Sequence, residues 1–304
     1  TIIGPLTTAI FNEIQANNVK AVSTNSDVTS IESLLFNNNS TLESIVLSNT
    51  ITSIGTNTFN NSSSLSSVTF TEPCLITTFE SAVFAYTSSL QTITIPSSVT
   101  SINQMAFQNS GLSTISIPDT VLTLGEYVFA NSASLTSVVI GNGITSIPHY
   151  TFNFCTSLTS VTIGNSVTSI GTNAFQFCIN LESITIPSNV TIINEYAFDT
   201  CASLTNVILS EGLLTIGDHA FGGSNGNNPV LTSLTIPNSV TYISNTAFSG
   251  LSALTKIYVE YSNNLGLKAG FQRVGGKSNV NVIITNQSKL SLIHISEPTR
   301  HDQI

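Results

Sequence analysis

The sequence predicts a β-rich repeat solenoid, a superhelix of about eleven coils with 23 residues in each. Two observations carry this prediction. The chain resembles itself at a period of 23 residues, as in the consecutive units that begin at Leu158 and Leu181. A phenylalanine also recurs near the end of each unit, which indicates a stacked core column. These residues are Phe36, Phe59, Phe84, Phe107, Phe129, Phe152, Phe175, Phe198, Phe221, Phe248 and Phe271.

Each unit contains two short strand signals and a turn. In the first six residues of a unit, apolar and polar side chains alternate towards the end, as in Leu181, Ile184 and Ile186. This pattern indicates a strand. Proline often follows and ends the strand because it has no N–H to donate. A second β-like run comes next, for example 190–193, and then a turn or short helix that leads to the phenylalanine. Two polar insertions, Glu72–Leu75 and Gly222–Pro229, are predicted surface loops.

The ends of the repeat array predict four segments. Residues 1–18 form an N-terminal cap, because Leu6, Ile10 and Ile14 fall on one face of a helix. The solenoid covers 19–271, and a C-terminal cap with a last strand covers 272–290. Residues 291–304 break the composition with two histidines, an arginine and a proline. We interpret this last segment as a non-native or disordered tail.

The unit LxxIxIPxxVxxIxxxAFxxCxx, carried by residues 19–271, resembles the BspA-type leucine-rich repeat. The resemblance implies a leucine-rich-repeat superhelix in a cell-surface or extracellular protein. Members of that family are linked to adhesion, matrix binding and co-aggregation. The motif is specific to the repeat class and does not by itself define a ligand.

Charge excludes several partners. The chain carries seven Lys or Arg against sixteen Asp or Glu, and residues 21–255 contain twelve acids and no Lys or Arg. Nucleic acid and anionic membrane surfaces need clustered cations, so neither is an expected partner. No apolar run reaches the length of a membrane span.

The scarcity of Lys and Arg also bears on stability. With few ion pairs available, and because exposed ion pairs contribute little, stability must come from packing and backbone hydrogen bonds.

The chemistry-bearing residues predict no enzyme, metal or cofactor. Cys155, Cys178 and Cys201 share one phase, and the prediction is buried free thiols, with one disulfide or a metal as the alternatives. His149 and His219 lie in turns, and no nucleophile or acid recurs beside them. The sequence contains no G-x-S-x-G motif and no glycine-rich phosphate loop between a strand and a helix.

Two surface strips are candidates for binding a partner. One phase of the turn carries Tyr127, Tyr150 and Tyr196, joined by His219, and Phe154 and Phe177 lie two residues past the core phenylalanine. Tyrosines on exposed ridges are enriched in interfaces, although these rings can also simply cover the next coil. The second strip consists of outward hydroxyls on the first strand, namely Thr92, Thr94, Thr114, Ser116, Ser160, Thr162, Ser183, Thr185, Ser233 and Thr235.

The sequence thus favours a binding or adhesion module that recognises a protein or glycan through an extended face. The alternative is a structural protein that binds copies of itself in a filament or sheath. Six asparagines fit the N-glycosylation pattern: Asn38, Asn39, Asn60, Asn61, Asn189 and Asn286.

Overall fold

The computed structural model describes residues 17–223 and 230–260, together with the backbone of 280–285 and 290–295. The chain winds through about ten coils, and each complete coil except the one that begins at Leu90 contains a longer strand, a shorter strand and a turn segment. The longer strands are β1 (Ala21–Ser23), β3 (Ser44–Leu47), β5 (Ser67–Phe70), β8 (Thr114–Ile117), β10 (Ser137–Ile140), β12 (Ser160–Thr162), β14 (Ser183–Ile186), β16 (Asn206–Leu209), β18 (Ser233–Ile236) and β20 (Lys256–Glu260).

The shorter strands form a second column. They are β2 (Ser30–Ile31), β4 (Ser53–Ile54), β6 (Thr78–Phe79), β7 (Ser101–Ile102), β9 (Thr123–Leu124), β11 (Ser146–Ile147), β13 (Ser169–Ile170), β15 (Ile192–Ile193), β17 (Thr215–Ile216) and β19 (Tyr242–Ile243). Two further strands, β21 (Val280–Thr285) and β22 (Leu290–Ile295), follow β20.

Where strands of successive coils pair, they do so in parallel and in phase. The longer strands form the groups β1–β3–β5, β8–β10–β12, β14–β16 and β18–β20, and the shorter strands form β2–β4, β6–β7–β9 and β11–β13–β15–β17–β19. Ile115 of β8 lies opposite Val138 of β10, and Ile147 of β11 lies opposite Ile170 of β13. In β14 the apolar side chains point inward and the polar ones outward, as the alternation predicts. The inward positions of the other longer strands are also apolar, but Val46, Val139 and Ile208 occupy exposed outward positions. The leucine that opens each unit is buried, so one apolar column runs below both strand columns.

The core phenylalanines form a continuous stack, as predicted from their spacing. From Phe36 to Phe248, rings in neighbouring coils lie nearly parallel with centroids 5.1–6.1 Å apart. This separation is typical of offset aromatic stacking. All of these rings are buried. Because each coil covers the ring of the one before it, no coil completes its core alone.

A polar column closes the core beside the phenylalanine stack. Cys155, Cys178 and Cys201 are buried, and each Sγ donates to the carbonyl of a phenylalanine 26 residues earlier. Ser62 and Ser132 make the same bond through Oγ in other coils. Each of these carbonyls also accepts a backbone N–H within its own coil, as Phe129 does from Ser132, so the thiol or hydroxyl is a second donor that links one coil to the next.

One coil lacks a longer strand, which the sequence does not predict. Thr92 and Thr94 point outward as expected, but residues 92–95 form no strand. Among the described residues, no N–H or C=O of Thr92–Ile95 takes part in a backbone hydrogen bond. The coil before this segment carries the insertion at Glu72–Leu75, and its own coil has 22 residues. We attribute the missing strand to this local loss of the 23-residue register.

The remaining predictions have mixed outcomes. The solenoid, the second strand and the turn that leads to phenylalanine are confirmed. The helical N-terminal cap and Phe271 lie outside the described residues. β21 supplies the predicted last strand, and β22 pairs with it in antiparallel fashion, so the backbone of 291–295 is part of a strand. The four segment boundaries and the non-native origin of 291–304 stay predictions.

Candidate functional site

The turn segment of most coils follows an unusual backbone path on both sides of the core phenylalanine. From Phe36 to Phe198 the residues two before and two after it adopt left-handed conformations with φ between 51° and 64°, and His219, two before Phe221, does so as well. We call these positions the pre-Phe and post-Phe columns. The pre-Phe column contains Leu34, Asn57, Ala82, Met105, Tyr127, Tyr150, Asn173, Tyr196 and His219. The post-Phe column contains Asn38, Asn61, Tyr86, Asn109, Asn131, Phe154, Phe177 and Thr200.

Hydrogen bonds between coils hold this path in register. The amide of Tyr127 donates to the carbonyl of His149 at 3.2 Å, and that of Tyr150 donates to Thr172 at 3.0 Å. The core phenylalanine and the post-Phe residue make equivalent bonds to the next coil. The turn segment is therefore a third ladder, and each side chain in the two columns stands beside its counterpart in the next coil.

Aromatic residues are costly occupants of these columns. A left-handed backbone costs roughly 1–2 kcal/mol for a residue with a Cβ, and asparagine and glycine tolerate it best. Asparagine occupies six of the positions in the two columns, as the conformation favours. Tyr127, Tyr150, Tyr196, Phe154 and Phe177 do not fit that preference. Strain of this kind is retained where the surrounding structure or a function compensates for it.

The aromatic occupants stack on one another in adjacent coils. Tyr127 lies 4.5 Å from Tyr150 between ring centroids, with 4° between the ring planes. Tyr196 stacks on His219 at 5.0 Å and Phe154 on Phe177 at 4.3 Å. The tyrosines are half-buried, whereas Phe154 is 41% exposed. The predicted ridge thus consists of two short stacks, not one continuous row, because Asn173 separates Tyr150 from Tyr196.

Acidic side chains border the pre-Phe column. The residues immediately before it include Glu126, Glu195 and Asp218, and all three are exposed. Desolvation is the main cause that raises the pKa of the Tyr127 phenol above its ordinary value of 10.0, and the charges of Tyr150 and Glu126 add to it. The described residues contain one ion pair, Lys20–Glu43, at the first coil. The carboxylates beside the tyrosines consequently have no cationic neighbour within the described coils.

The hydroxyl strip lies on a different face. All ten of its predicted members are exposed on the longer-strand side, as the alternation requires. Where the strand is missing from that column, a cavity of about 360 Å³ opens between Thr92–Ile95 and β8. Its lining mixes hydroxyls such as Thr114 with Ile93 and Ile115, and it contains no acid or cation.

The other predicted residues are dispersed. The three in-phase cysteines are free and buried, as predicted, and Cys74 is half-buried in the insertion. Asn39 is fully buried, so the folded chain would not present it for glycosylation; Asn38, Asn61 and Asn189 are exposed and Asn60 is half-buried. Asn286 lies outside the described residues.

The left-handed columns have a signal in the sequence that the repeat period alone does not reveal. Asn57 and Asn173 occupy the same phase as the tyrosines, and Asn61, Asn109 and Asn131 share the phase of Phe154. A recurrent asparagine at one phase of a turn is typical of positive φ. Periodicity places the aromatic residues in a column, but it does not indicate that their backbone is strained.

Comparison with known proteins agrees with the repeat fold. The model of the BspA type leucine-rich repeat region matches six copies over residues 8–136, 123–255 and 226–265. The protein belongs to this family, whose repeats suggest protein-interaction modules and are typically not enzymes. No curated protein matches the chain. Within the described residues there is no helix suited to crossing a membrane, and no group of three or more His, Cys, Asp or Glu that would hold a metal.

Solved structures share the fold. A leucine-rich cell surface protein from Faecalibacterium prausnitzii is 23% identical with a TM-score of 0.52, over 86% of this chain and 92% of the other. The pneumococcal vaccine antigen PcpA is 16% identical with a TM-score of 0.55, over 88% and 79%. A leucine-rich-repeat protein from T. pallidum is 23% identical with a TM-score of 0.50, over 54% and 78%. At these identities the likeness concerns the fold.

Proposed function

We propose that this protein is an extracellular or cell-surface adhesion module that binds a protein or glycan partner through the turn face, with Tyr127, Tyr150, Tyr196, Phe154 and Phe177 as its contact residues. One observation carries the proposal: these five residues and Tyr86, six bulky aromatic residues in all, occupy left-handed positions in columns where other coils place asparagine. The backbone strain at these positions argues against a role for the aromatic side chains as simple fillers of the turn. The rings of the five contact residues stack, so they form a surface that is already ordered before a partner binds.

Preorganised aromatic rings suit recognition for a physical reason. A tyrosine contributes a large contact area and has few side-chain rotations to lose on binding. Stacking against the next coil restricts those rotations further. The surface also spans several coils, so affinity would be distributed over an extended face, as in other solenoids. Cell-surface proteins among the structural neighbours support the proposed location.

The test compares two triple variants of the full chain. In the first, Tyr127, Tyr150 and Tyr196 are replaced by asparagine, which the same column accepts at Asn57 and Asn173. In the matched control, Thr114, Ser160 and Ser183 of the hydroxyl strip are replaced by alanine. Adhesion to extracellular matrix and to neighbouring cells is then measured. We expect the tyrosine variant to lose most of its adhesion and the control to retain it.

Three other outcomes would contradict the proposal. Loss in the control alone would move the contact surface to the strand face. Unchanged adhesion in both variants would remove the tyrosines from the site. A chain that binds no partner but polymerises with itself, as seen by size-exclusion chromatography and electron microscopy, would favour the structural alternative of a filament or sheath.

A further inference from the structure

The two tyrosine stacks are separated by a gap of one coil. Tyr150 donates its amide to Thr172, and Asn173 donates to Glu195, both at 3.0 Å, so three consecutive coils are held in register. Tyr150 and Tyr196 therefore stand two coil steps apart, about 9.5 Å. Asn173 occupies the step between them with a side chain too short to reach the level of the rings. At this spacing the two tyrosine rings would leave a slot about one ring thick above Asn173.

From this geometry we infer that the slot receives the guanidinium group of an arginine side chain on the partner protein. The inference rests on the proposed function and names the chemistry of its partner. A planar group midway between the rings would lie about 4.7 Å from each ring centroid, within the roughly 6 Å range of cation–π contact. That spacing matches the 4.5 Å and 5.0 Å at which the flanking stacks already pack. The bound guanidinium group would join the Tyr127–Tyr150 stack and the Tyr196–His219 stack into one continuous stack.

The floor of the slot offers a hydrogen-bond acceptor. Asn173 is 8% exposed, and its Nδ2 donates to Gln176 Oε1, which orients the amide. No hydrogen bond within the described chain uses Asn173 Oδ1. A guanidinium carries five N–H donors in one plane, so it can donate to this oxygen while both of its faces stack on tyrosine.

Charge selects arginine over a neutral planar guest. Glu195 precedes Tyr196 and is exposed, and Asp218 occupies the same phase in the next coil. No Lys or Arg lies between residues 21 and 255 to neutralise them. His149, at the other wall, accepts a hydrogen bond at Nδ1 from the amide of Thr172 at 2.8 Å, and this bond requires an unprotonated Nδ1. A sugar ring or an aromatic side chain would leave the carboxylates uncompensated.

The chain itself supplies the decisive variant. Asn173→Tyr fills the slot with a ring in a column that already accepts tyrosine on both sides, so the fold is expected to persist. Met105→Tyr is the matched control, because it adds a tyrosine to the same column beyond Tyr127 and leaves the slot open. Glu195→Gln removes the carboxylate and keeps both walls. Circular dichroism and thermal melting verify that each variant folds.

Binding is measured on the full chain by ligand-observed NMR with N-acetyl-arginine-N-methylamide. We expect saturable binding that weakens at least tenfold in Asn173→Tyr, several-fold in Glu195→Gln and at elevated salt, and not at all in Met105→Tyr. The matching citrulline derivative, which is planar but neutral, and the lysine derivative, which is charged but not planar, should both bind at least tenfold more weakly.

Several results would overturn the inference. Equal binding of the citrulline probe, or arginine binding that survives Asn173→Tyr, would exclude guanidinium recognition in the slot. Binding of methyl β-glucoside that Asn173→Tyr abolishes would assign the slot to a sugar. The proposed function fails separately: if the triple tyrosine variant loses adhesion while Asn173→Tyr retains it, the slot is wrong and the aromatic surface stands. Arginine binding in the slot, combined with adhesion that does not depend on the tyrosines, would uphold the slot and refute the adhesive role of the aromatic surface.

Discussion

At the scale of single residues, the buried cysteines link packing to pH. Burial raises the pKa of the Cys155 thiol from 9.0 to about 12, and it raises those of Cys178 and Cys201 as well. Below pH 9 both the folded and the unfolded chain keep these protons, so the thiols cause no pH dependence there. Above pH 9 the unfolded chain releases them and the folded chain does not. The free energy of unfolding must therefore fall as the pH rises.

The alkaline effect is testable by replacing all three cysteines with serine. Serine already makes the equivalent bond at Ser62 and Ser132, so the variant should fold at pH 7. At pH 10 each native thiol costs about 1.4 kcal/mol relative to neutral pH. We expect the stability lost between pH 8 and pH 10, measured by urea unfolding, to be about 4 kcal/mol smaller in the variant. Equal losses would mean that the thiols are not buried in the folded chain.

A second residue-scale prediction concerns the left-handed backbone. Leu34 has φ of 64° in the pre-Phe column and is 55% exposed, so its side chain recovers little burial energy. Leu34→Asn should raise the free energy of unfolding by about 1 kcal/mol, because asparagine tolerates this conformation better. The reverse exchange, Asn57→Leu, is the matched variant and should lower it by a similar amount. A loss of stability in Leu34→Asn would contradict the role assigned to backbone strain.

At the scale of elements, Thr92–Ile95 is the segment of the longer-strand side where a whole coil has no strand. Its amides have no backbone acceptor among the described residues, whereas β10 is paired on both sides. Hydrogen exchange followed by mass spectrometry should show peptides over 92–95 exchanging roughly a hundredfold faster, or more, than those over β10. Equal protection of the two segments would mean that residues 92–95 are paired in solution.

The elements also show how far a sequence pattern extends. The alternation in units such as Leu181–Ile186 predicts both the strand and its inward face, because burial on one side imposes a period of two. The same alternation occurs at Thr92–Ile95, where no strand forms. Whether a strand forms depends on its pairing with the coils before and after it. The insertion at Glu72–Leu75 lies in the coil before, so the sequence of residues 92–95 gives no sign of it. The tyrosines are a similar case. The repeat period predicts that they share one column, but their division into two stacks depends on the residue in the coil between them, Asn173.

At the scale of the whole molecule, stability is distributed along one dimension. Each coil contacts its neighbours, and no residue of the described core joins distant coils. Deleting residues 158–180, one complete unit, should therefore leave a folded solenoid that melts with an enthalpy lower by about 16 kcal/mol. Deleting 158–169 instead removes half a period and should abolish cooperative melting. Equal behaviour of the two deletions in calorimetry would refute the in-phase stacking.

The placement of cations has a practical consequence for protein handling. Trypsin cleaves only after lysine or arginine, and the coils between Lys20 and Lys256 contain neither. Even a fully unfolded chain would yield one long peptide from Ala21 to Lys256, while residues 1–20 are removed as one peptide and the C-terminal part is cut further. Trypsin, which usually detects loops and frayed ends, therefore cannot detect local unfolding anywhere in this span, and it can be used to trim the protein to residues 21–256.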